Sequence, residues 1–436
     1  MTASFALISF NSLAAYATIA STNAAFHRVD NTAADQQRDV TSTSVVGYLL
    51  LGGAGGLAGL AGYQRGNRVS VPMLLLLLAY LALCYTSLLW SADRSLTIRK
   101  LVVLTLFLSA AVGFVQWLGL RGFTIACGVC AAATLAIGLL AEVRISLFRP
   151  WQGDYRFSGV VHPNETSIIA AVLCMTIVFL VLPAGQRRTL AMLVLAGAAV
   201  LLILTKSRTG LAACVVALSI GLLVRAQAST KALLAGGAIA AAGALILFVA
   251  STGAAGVFDV ASLGRGEHVS SLTGRVPLWN LLLGEAADRP FVGYGYGAFW
   301  SARNIDDISR EFYWHIPQGH SIYIDLILNL GVVGLLAFLA VMAAGLATAV
   351  ARYSATGQAH YLFAASAVIL AAVHGIAESK FFATGFPGLM LFGCFAGLAL
   401  GPGEAAAANA ATSAEPLRFR PAAASRRLAG GAVAGG

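Results

Sequence analysis

Arginine, histidine and small polar residues recur in four short clusters along a chain that is otherwise apolar. They are "RFSGVVHPNETS" from Arg156 to Ser167, and "TKSRTG" from Thr205 to Gly210. The third is "SLTGRVPLWN" from Ser271 to Asn280, with "RPFVGYGYGAFW" from Arg289 to Trp300 close behind; the fourth is "HIPQGHSIYID" from His315 to Asp325. A guanidinium grips an oxyanion through two parallel hydrogen bonds and stays charged. An imidazole exchanges its proton near neutral pH. One arginine at a helix end reads as an anchor whose head reaches the interface. Ser207-Arg208-Thr209, however, leaves Arg208 almost no loop to escape into. An arginine at mid-membrane costs about 2.5–3.5 kcal/mol on insertion scales, so basic groups kept there point to function.

The elements that must position these groups are membrane helices. The chain has 436 residues, 58% hydrophobic and 11% charged, with a mean hydropathy of +0.82. That composition belongs to an all-α, polytopic membrane bundle. Crossing the hydrocarbon core takes about 20 mainly apolar residues. Candidate spans are 4–22, 45–63, 71–90, 101–120, 122–142, 166–183, 189–205, 209–225, 231–251, 321–349, 359–377 and 385–401. This is about twelve, forming one bundle over 1–401. Residues 1–22 compete as a cleaved leader, but no basic residue precedes their apolar stretch.

Twelve spans put both termini on one side. Assigning the C-terminal tail and the even joints to that side gathers twelve basic residues, from Arg65 to Arg427, against Glu404 and Glu415. The whole formal charge of +10 then falls on one face. The positive-inside bias makes that face cytoplasmic. The charge is thus a topology signal, and nucleic acid is not an expected partner. Residues 252–319 form one large extracytoplasmic loop, rich in aromatic residues and expected to be an ordered cap with short helices. Residues 402–436, rich in Ala and Gly, read as a disordered cytoplasmic tail. The six cysteines all lie in apolar segments and read as small buried thiols, including the Cys127/Cys130 pair.

Taken in order, the clusters resemble the O-antigen ligase superfamily, membrane glycosyltransferases that also include polymerases of surface polysaccharides. Arg156, Gly159, Pro163 and Asn164 match its R-x-x-G-x-x-x-P-N cluster, and Ser207-Arg208 its Ser-Arg helix start. Thr273-Gly274-Arg275 with Trp279 match T-G-R-x-x-x-W, followed by Pro290, Gly293, Gly295 and Gly297. His320, Tyr323, Gly331 and Gly334 match the H-N-x-Y motif and the two glycines of the next helix. Two positions depart from the pattern: Ser321 stands where Asn is usual, and Asn329 where Glu is frequent. The resemblance covers roughly residues 150–400.

The resemblance implies a polyprenyl-diphosphate-linked glycan as donor and a sugar hydroxyl in the outer leaflet as acceptor. The acceptor is lipid A core for a ligase of lipopolysaccharide, or another lipid-linked repeat for a polymerase of exopolysaccharide. The setting is the bacterial inner membrane, with the site on the periplasmic side and membrane lipids around it. Arg208 and Arg275 are the expected diphosphate clamp, with Arg156 a third, and His320 the base that takes the acceptor proton. Asn164, Trp279, His315 and Asp325 are expected to bind substrate, with His315 reading alternatively as a satisfied interfacial histidine. Asp325 reads equally as an organiser of its helix face or as an arginine partner. Glu378, in "GIAESKFF", reads as an ion-pair partner beside Lys380, with a second base as the sharper alternative. No cofactor or metal is expected, since no cluster has metal-ligand spacing and the arginines would replace a divalent ion. A transporter of lipid-linked sugars is the competing class, but no internal repeat supports it.

Overall fold

The computed structural model describes residues 42–62, 69–153, 155–185, 187–226, 275–381 and 385–401. These residues form helices and turns, with no strand among them. The helices are α1 (Ser42–Gly62), α2 (Val71–Thr86), α3 (Arg94–Arg144), α4 (Pro163–Thr176), α5 (Arg188–Leu204) and α6 (Arg208–Arg225). Then follow α7 (Arg275–Ala287), α8 (Ala302–Phe312), α9 (Ile322–Thr356), α10 (Ala359–His374) and α11 (Phe386–Leu400).

Five helical stretches are long and apolar enough to cross a membrane: Val71–Leu89, Arg94–Arg144, Pro163–Ala184, Arg208–Arg225 and Ile322–Thr356. Four shorter apolar helices, Val46–Ala61, Arg188–Leu204, Ala359–His374 and Phe386–Leu400, fall on other expected spans. The expected spans 4–22 and 231–251, the tail 402–436 and the first part of the large loop, 252–274, lie outside the described residues.

Long helix α3 shows how sequence sets span boundaries. Asp93 caps it by accepting from the Leu96 amide at 2.9 Å. Its 51 residues would extend about 77 Å if straight, against a hydrocarbon core of about 30 Å. The backbone leaves helical geometry at Gly119, with φ 67° and ψ 166°. The expected spans 101–120 and 122–142 are therefore two arms of one helix, joined at Gly119 without a loop. On the first arm, Gly113 packs so tightly on Gly55 that a Cβ there would lie 1.7 Å from the Gly55 carbonyl oxygen. Small residues allow this approach between membrane helices.

Helices α4, α10 and α11 make the centre, with nearly every residue buried. Helix α10 packs on α6 and α9, while α11 packs on α3 and α2. Ser366 of α10 donates to the Ala217 carbonyl of α6 at 3.0 Å, a polar contact between spans. One end of the bundle joins Ser70 to Ala399 by a 2.8 Å backbone bond and brings Arg352 to Gly397 at 3.4 Å. The other end gathers the start of α4, the start of α9 and the end of α10, where Ile322 donates to the Gly375 carbonyl at 2.9 Å.

Helix α9 breaks at Gly331, with φ 67° and ψ −170°, so the expected span 321–349 is a short stub followed by a long arm. A helix break frees amides and carbonyls that need partners. The Pro290–Gly297 turn supplies them. Tyr294 donates to Leu328 and Gly295 to Asn329, each at 2.8 Å, while Val332 donates to Pro290 at 2.8 Å. Gly293 and Gly295 take positive φ (64° and 104°) to make that approach. The glycine run is thus a backbone clasp on a broken membrane helix.

This clasp separates two costs that are usually confounded. Gly357 also has positive φ, but a Cβ there would meet nothing within 4 Å, whereas at Gly331 it would lie 2.1 Å from the Phe291 backbone. Gly357→Ala should cost only the left-handed penalty, about 1 kcal/mol. Gly331→Ala should lower the thermal midpoint of detergent-solubilised protein several-fold more. Equal shifts would mean that the clasp adds nothing.

Candidate active site

Cluster one is built on a buried acid. Glu142, near the end of α3, accepts from the Gly159 amide at 2.7 Å, the Ser158 amide at 3.0 Å and the Tyr155 hydroxyl at 2.5 Å. Gly159 (φ 65°) backs onto Gly138, which has no side chain to block it. This fixes the short loop before α4, and Phe157 donates to the Leu204 carbonyl at 2.9 Å. Arg156 then reaches the Thr205 carbonyl through Nε and Asn164 Oδ1 through a terminal nitrogen, each at 3.0 Å. The first two sequence clusters thereby become one.

Helix α4 begins with His162 as its cap, accepting from the Asn164 amide at 3.2 Å, and Pro163 in its first turn. Helix α6 begins beside it. Ser207 caps α6 by accepting from the Gly210 amide at 3.3 Å, which makes Arg208 the first helical residue. Gly210 sits against Ser167 of α4, where a Cβ would be 1.9 Å from the hydroxyl. Arg208 therefore lies at the same end of the bundle as Asn164.

The centre is Glu378, 1% exposed. Asn164 donates to Glu378 Oε1 through its amide nitrogen. Arg275, the first residue of α7, donates to the same oxygen at 2.8 Å and to the Ala377 carbonyl at 2.5 Å. His320 Nδ1 lies 3.6 Å from the other oxygen, Oε2. Burial alone would raise the carboxyl, but the nearby His320 imidazole and the charge of Arg275 outweigh it. Glu378 is held well below the usual carboxylate range, ionised at neutral pH. Glu378 thus pairs with Arg275 rather than with the adjacent Lys380, whose ammonium faces Glu165 at 3.9 Å.

His320 precedes α9 rather than opening it: Ser321 is the cap, Ile322 the first helical residue, and His320 takes a left-handed φ of 49°. Contacts on the preceding residue, Gly319, hold that turn. Trp279 donates its indole N–H to the Gly319 carbonyl at 2.9 Å. Asp325 Oδ1 accepts from the Gly319 amide at 2.9 Å and from Trp300 at 2.8 Å, and Oδ2 accepts from Ser379. Asp325 thus organises the turn and pairs with no arginine through these contacts. Tyr323 donates to the Ala372 carbonyl at 2.7 Å. Asn329 donates to the Asp325 carbonyl at 2.7 Å, within its own helix. His315 sits in the connection between α8 and α9, partly exposed.

Arg156, Asn164, Arg275 and His320 are therefore linked through Glu378 and Asn164, with Trp279 and Asp325 holding the turn. Thr273 and Gly274 lie outside the described residues. Sequence reading missed Glu142 and gave Glu378 the wrong partner. Neighbours in sequence suggested Lys380, while the partner came from 103 residues away.

The linkage sign follows from the lowered Glu378 value. A carboxyl depressed in the folded state contributes stability above its ordinary value of 4.5 and loses it as pH falls further. Glu378→Gln should therefore be less stable than the native chain by a constant margin from about pH 6 to about pH 8. The margin should shrink below pH 4.5. Melting curves of both proteins across pH measure it; a margin that grew on acidification would mean the native carboxyl prefers its proton.

Comparison with known proteins bears on the same region. Residues 190–339 match the family model described as O-Antigen ligase. The chain is also 27% identical over 265 residues to the exopolysaccharide production protein ExoQ of Rhizobium meliloti (strain 1021). That alignment takes in 57% of this chain and 58% of the relative, so the chain spans less than two thirds of the curated relative's length. The family match includes α5, α6, α7 and the His320 turn, which contribute Arg208, Arg275 and His320. Over residues 190–339 the chain is thus similar to the O-antigen ligase superfamily, and the matched stretch carries the second, third and fourth polar clusters.

Proposed function

We propose that this protein transfers a glycan from a polyprenyl diphosphate onto an acceptor hydroxyl at the outer leaflet of the bacterial inner membrane. The observation that carries this reading is the meeting of Arg275 and His320 on one buried carboxylate, beside the Arg156–Asn164 link. Transfer makes a bond from the acceptor oxygen to the anomeric carbon and breaks the bond from that carbon to the diphosphate. The acceptor loses its proton, and the leaving group gains negative charge.

Each residue type suits one part of that change. His320 Nε2, the nitrogen not facing Glu378, accepts the acceptor proton. Glu378, ionised, fixes the ring through Nδ1 and stabilises the imidazolium that forms, the role of an orienting carboxylate behind a general base. Arg275 uses two donors on Glu378 and the Ala377 carbonyl, and its guanidinium has others to offer the diphosphate. Arg208, at the start of α6, adds a second cation where the helix amides already favour an anion. Arg156 is a third cation beside them. The arginines supply the charge that a divalent ion would otherwise provide, so the reaction runs without added metal. The acceptor is lipid A core in the ligase reading. The similarity to an exopolysaccharide production protein favours a second reading, in which the acceptor is another lipid-linked repeat.

Arg208→Ala, Arg275→Ala and His320→Ala should each reduce transfer by at least about a hundredfold, with protein level and lipid-linked donor unchanged. Arg275→Lys should stay strongly impaired, because a lysine cannot form the two-pronged grip. The assay is purified protein with a defined lipid-linked glycan, offered lipid A core and lipid-linked repeats in turn. Full activity of Arg275→Lys would overturn the phosphate-grip account. Reversible loss of turnover on chelation would overturn metal independence.

A further inference from the structure

Beside His320 lies a set of groups that the transfer chemistry does not use. The Trp314 ring stands 5.4 Å from the His320 ring, tilted by 43°. Tyr313, immediately before it, is 96% exposed and has φ 59° and ψ 22°, a left-handed conformation that side chains rarely adopt. Strain of this kind clusters at functional sites. Immediately after Trp314, His315 Nε2 is buried with no hydrogen-bond partner among the described residues, and so is His320 Nε2. Buried nitrogens without partners call for an explanation.

The connection that carries these groups is anchored. Ile316 is fully buried and donates its amide to Ser309 at 2.9 Å. It packs with Leu278, Leu282 and Ile308. Trp314 is thus held beside the base by the same small core that supports α7 and α8.

We infer that Trp314, extended by Tyr313, is the platform on which the acceptor sugar ring lies, with His315 and His320 taking its hydroxyls. This rests on the transferase reading above and adds to it a residue that sets acceptor recognition. The axial C–H bonds of a pyranose carry slight positive charge, and the face of an indole is negative, so ring and sugar attract over a flat contact. A sugar stacked on Trp314 brings its rim hydroxyls to the His320 ring. The platform lies on the acceptor side, so it should govern the acceptor KM and leave the donor KM alone.

The test uses the full chain in detergent with saturating lipid-linked donor. Trp314→Ala should raise the acceptor KM about tenfold, with donor KM unchanged; Trp314→Phe, which keeps a ring face, should recover much of the loss. Tyr313→Ala should raise the acceptor KM less. An unchanged acceptor KM in Trp314→Ala, or a rise in donor KM instead, would overturn the platform.

A binding arm separates this inference from the transferase reading. Saturation-transfer NMR on the native chain without donor would use core oligosaccharide released from lipopolysaccharide, and repeat oligosaccharide released from its lipid. Sorbitol, with hydroxyls but no ring face, is the control. Contact of either oligosaccharide that Trp314→Ala abolishes supports the platform, even if the native chain transfers no glycan. Contact that survives Trp314→Ala, or equal contact by sorbitol, overturns it, even where transfer is observed.

Discussion

Keeping Glu378 charged inside the protein is the constraint around which the site is arranged. An ionised carboxylate with almost no solvent contact survives only where charge and hydrogen bonds replace water. Here Arg275 supplies the charge, Asn164 an amide donor and His320 an imidazole facing the second oxygen. Removing one partner leaves the others exposed to the desolvation cost. The three elements that meet at this carboxylate, the start of α4, the start of α7 and the turn before α9, are thereby tied into one unit. The same arrangement leaves His320 Nε2 facing away from Glu378.

Backbone geometry delivers the groups to that carboxylate. His320 sits in a left-handed turn whose preceding residue, Gly319, is gripped at its carbonyl by Trp279 and at its amide by Asp325. Asp325 itself is buried and receives Trp300 and Ser379. The glycine clasp on the break in α9 holds the stub that carries Asp325 and Asn329 against the Pro290–Gly297 turn. Local strain at the turn and a broken helix are both tolerated because surrounding hydrogen bonds fix them.

Much of the fold was legible in sequence because apolar length is a direct readout of membrane crossing. Helices α2, α4, α6 and α9 fall where their apolar runs do. The places where pattern reading fell short are those where backbone overrides it. Gly119 joins two spans without a loop, and Gly331 divides one span into a stub and an arm. Twelve crossings is a number that the five long apolar helices do not establish. Within the site, Arg156, Arg208, Arg275 and His320 stood out because charged and imidazole groups are costly among apolar residues. Glu378 was noticed but assigned to Lys380, its neighbour in sequence. Its partner, distant in sequence, is fixed only by packing. Glu142 gave no signal at all, since a lone acid at a helix end reads as solvated surface.

The account places phosphate chemistry at one end of the bundle, where Arg208 and Arg275 lie, and none at the other, where Arg352 meets Gly397. A cryo-EM structure of the protein with a lipid-linked diphosphate glycan tests this directly. The account predicts the diphosphate between Arg208 and Arg275, with the anomeric carbon on the side of His320 Nε2. Diphosphate density beside Arg352, or at the His320 end but out of reach of both arginines, would contradict it.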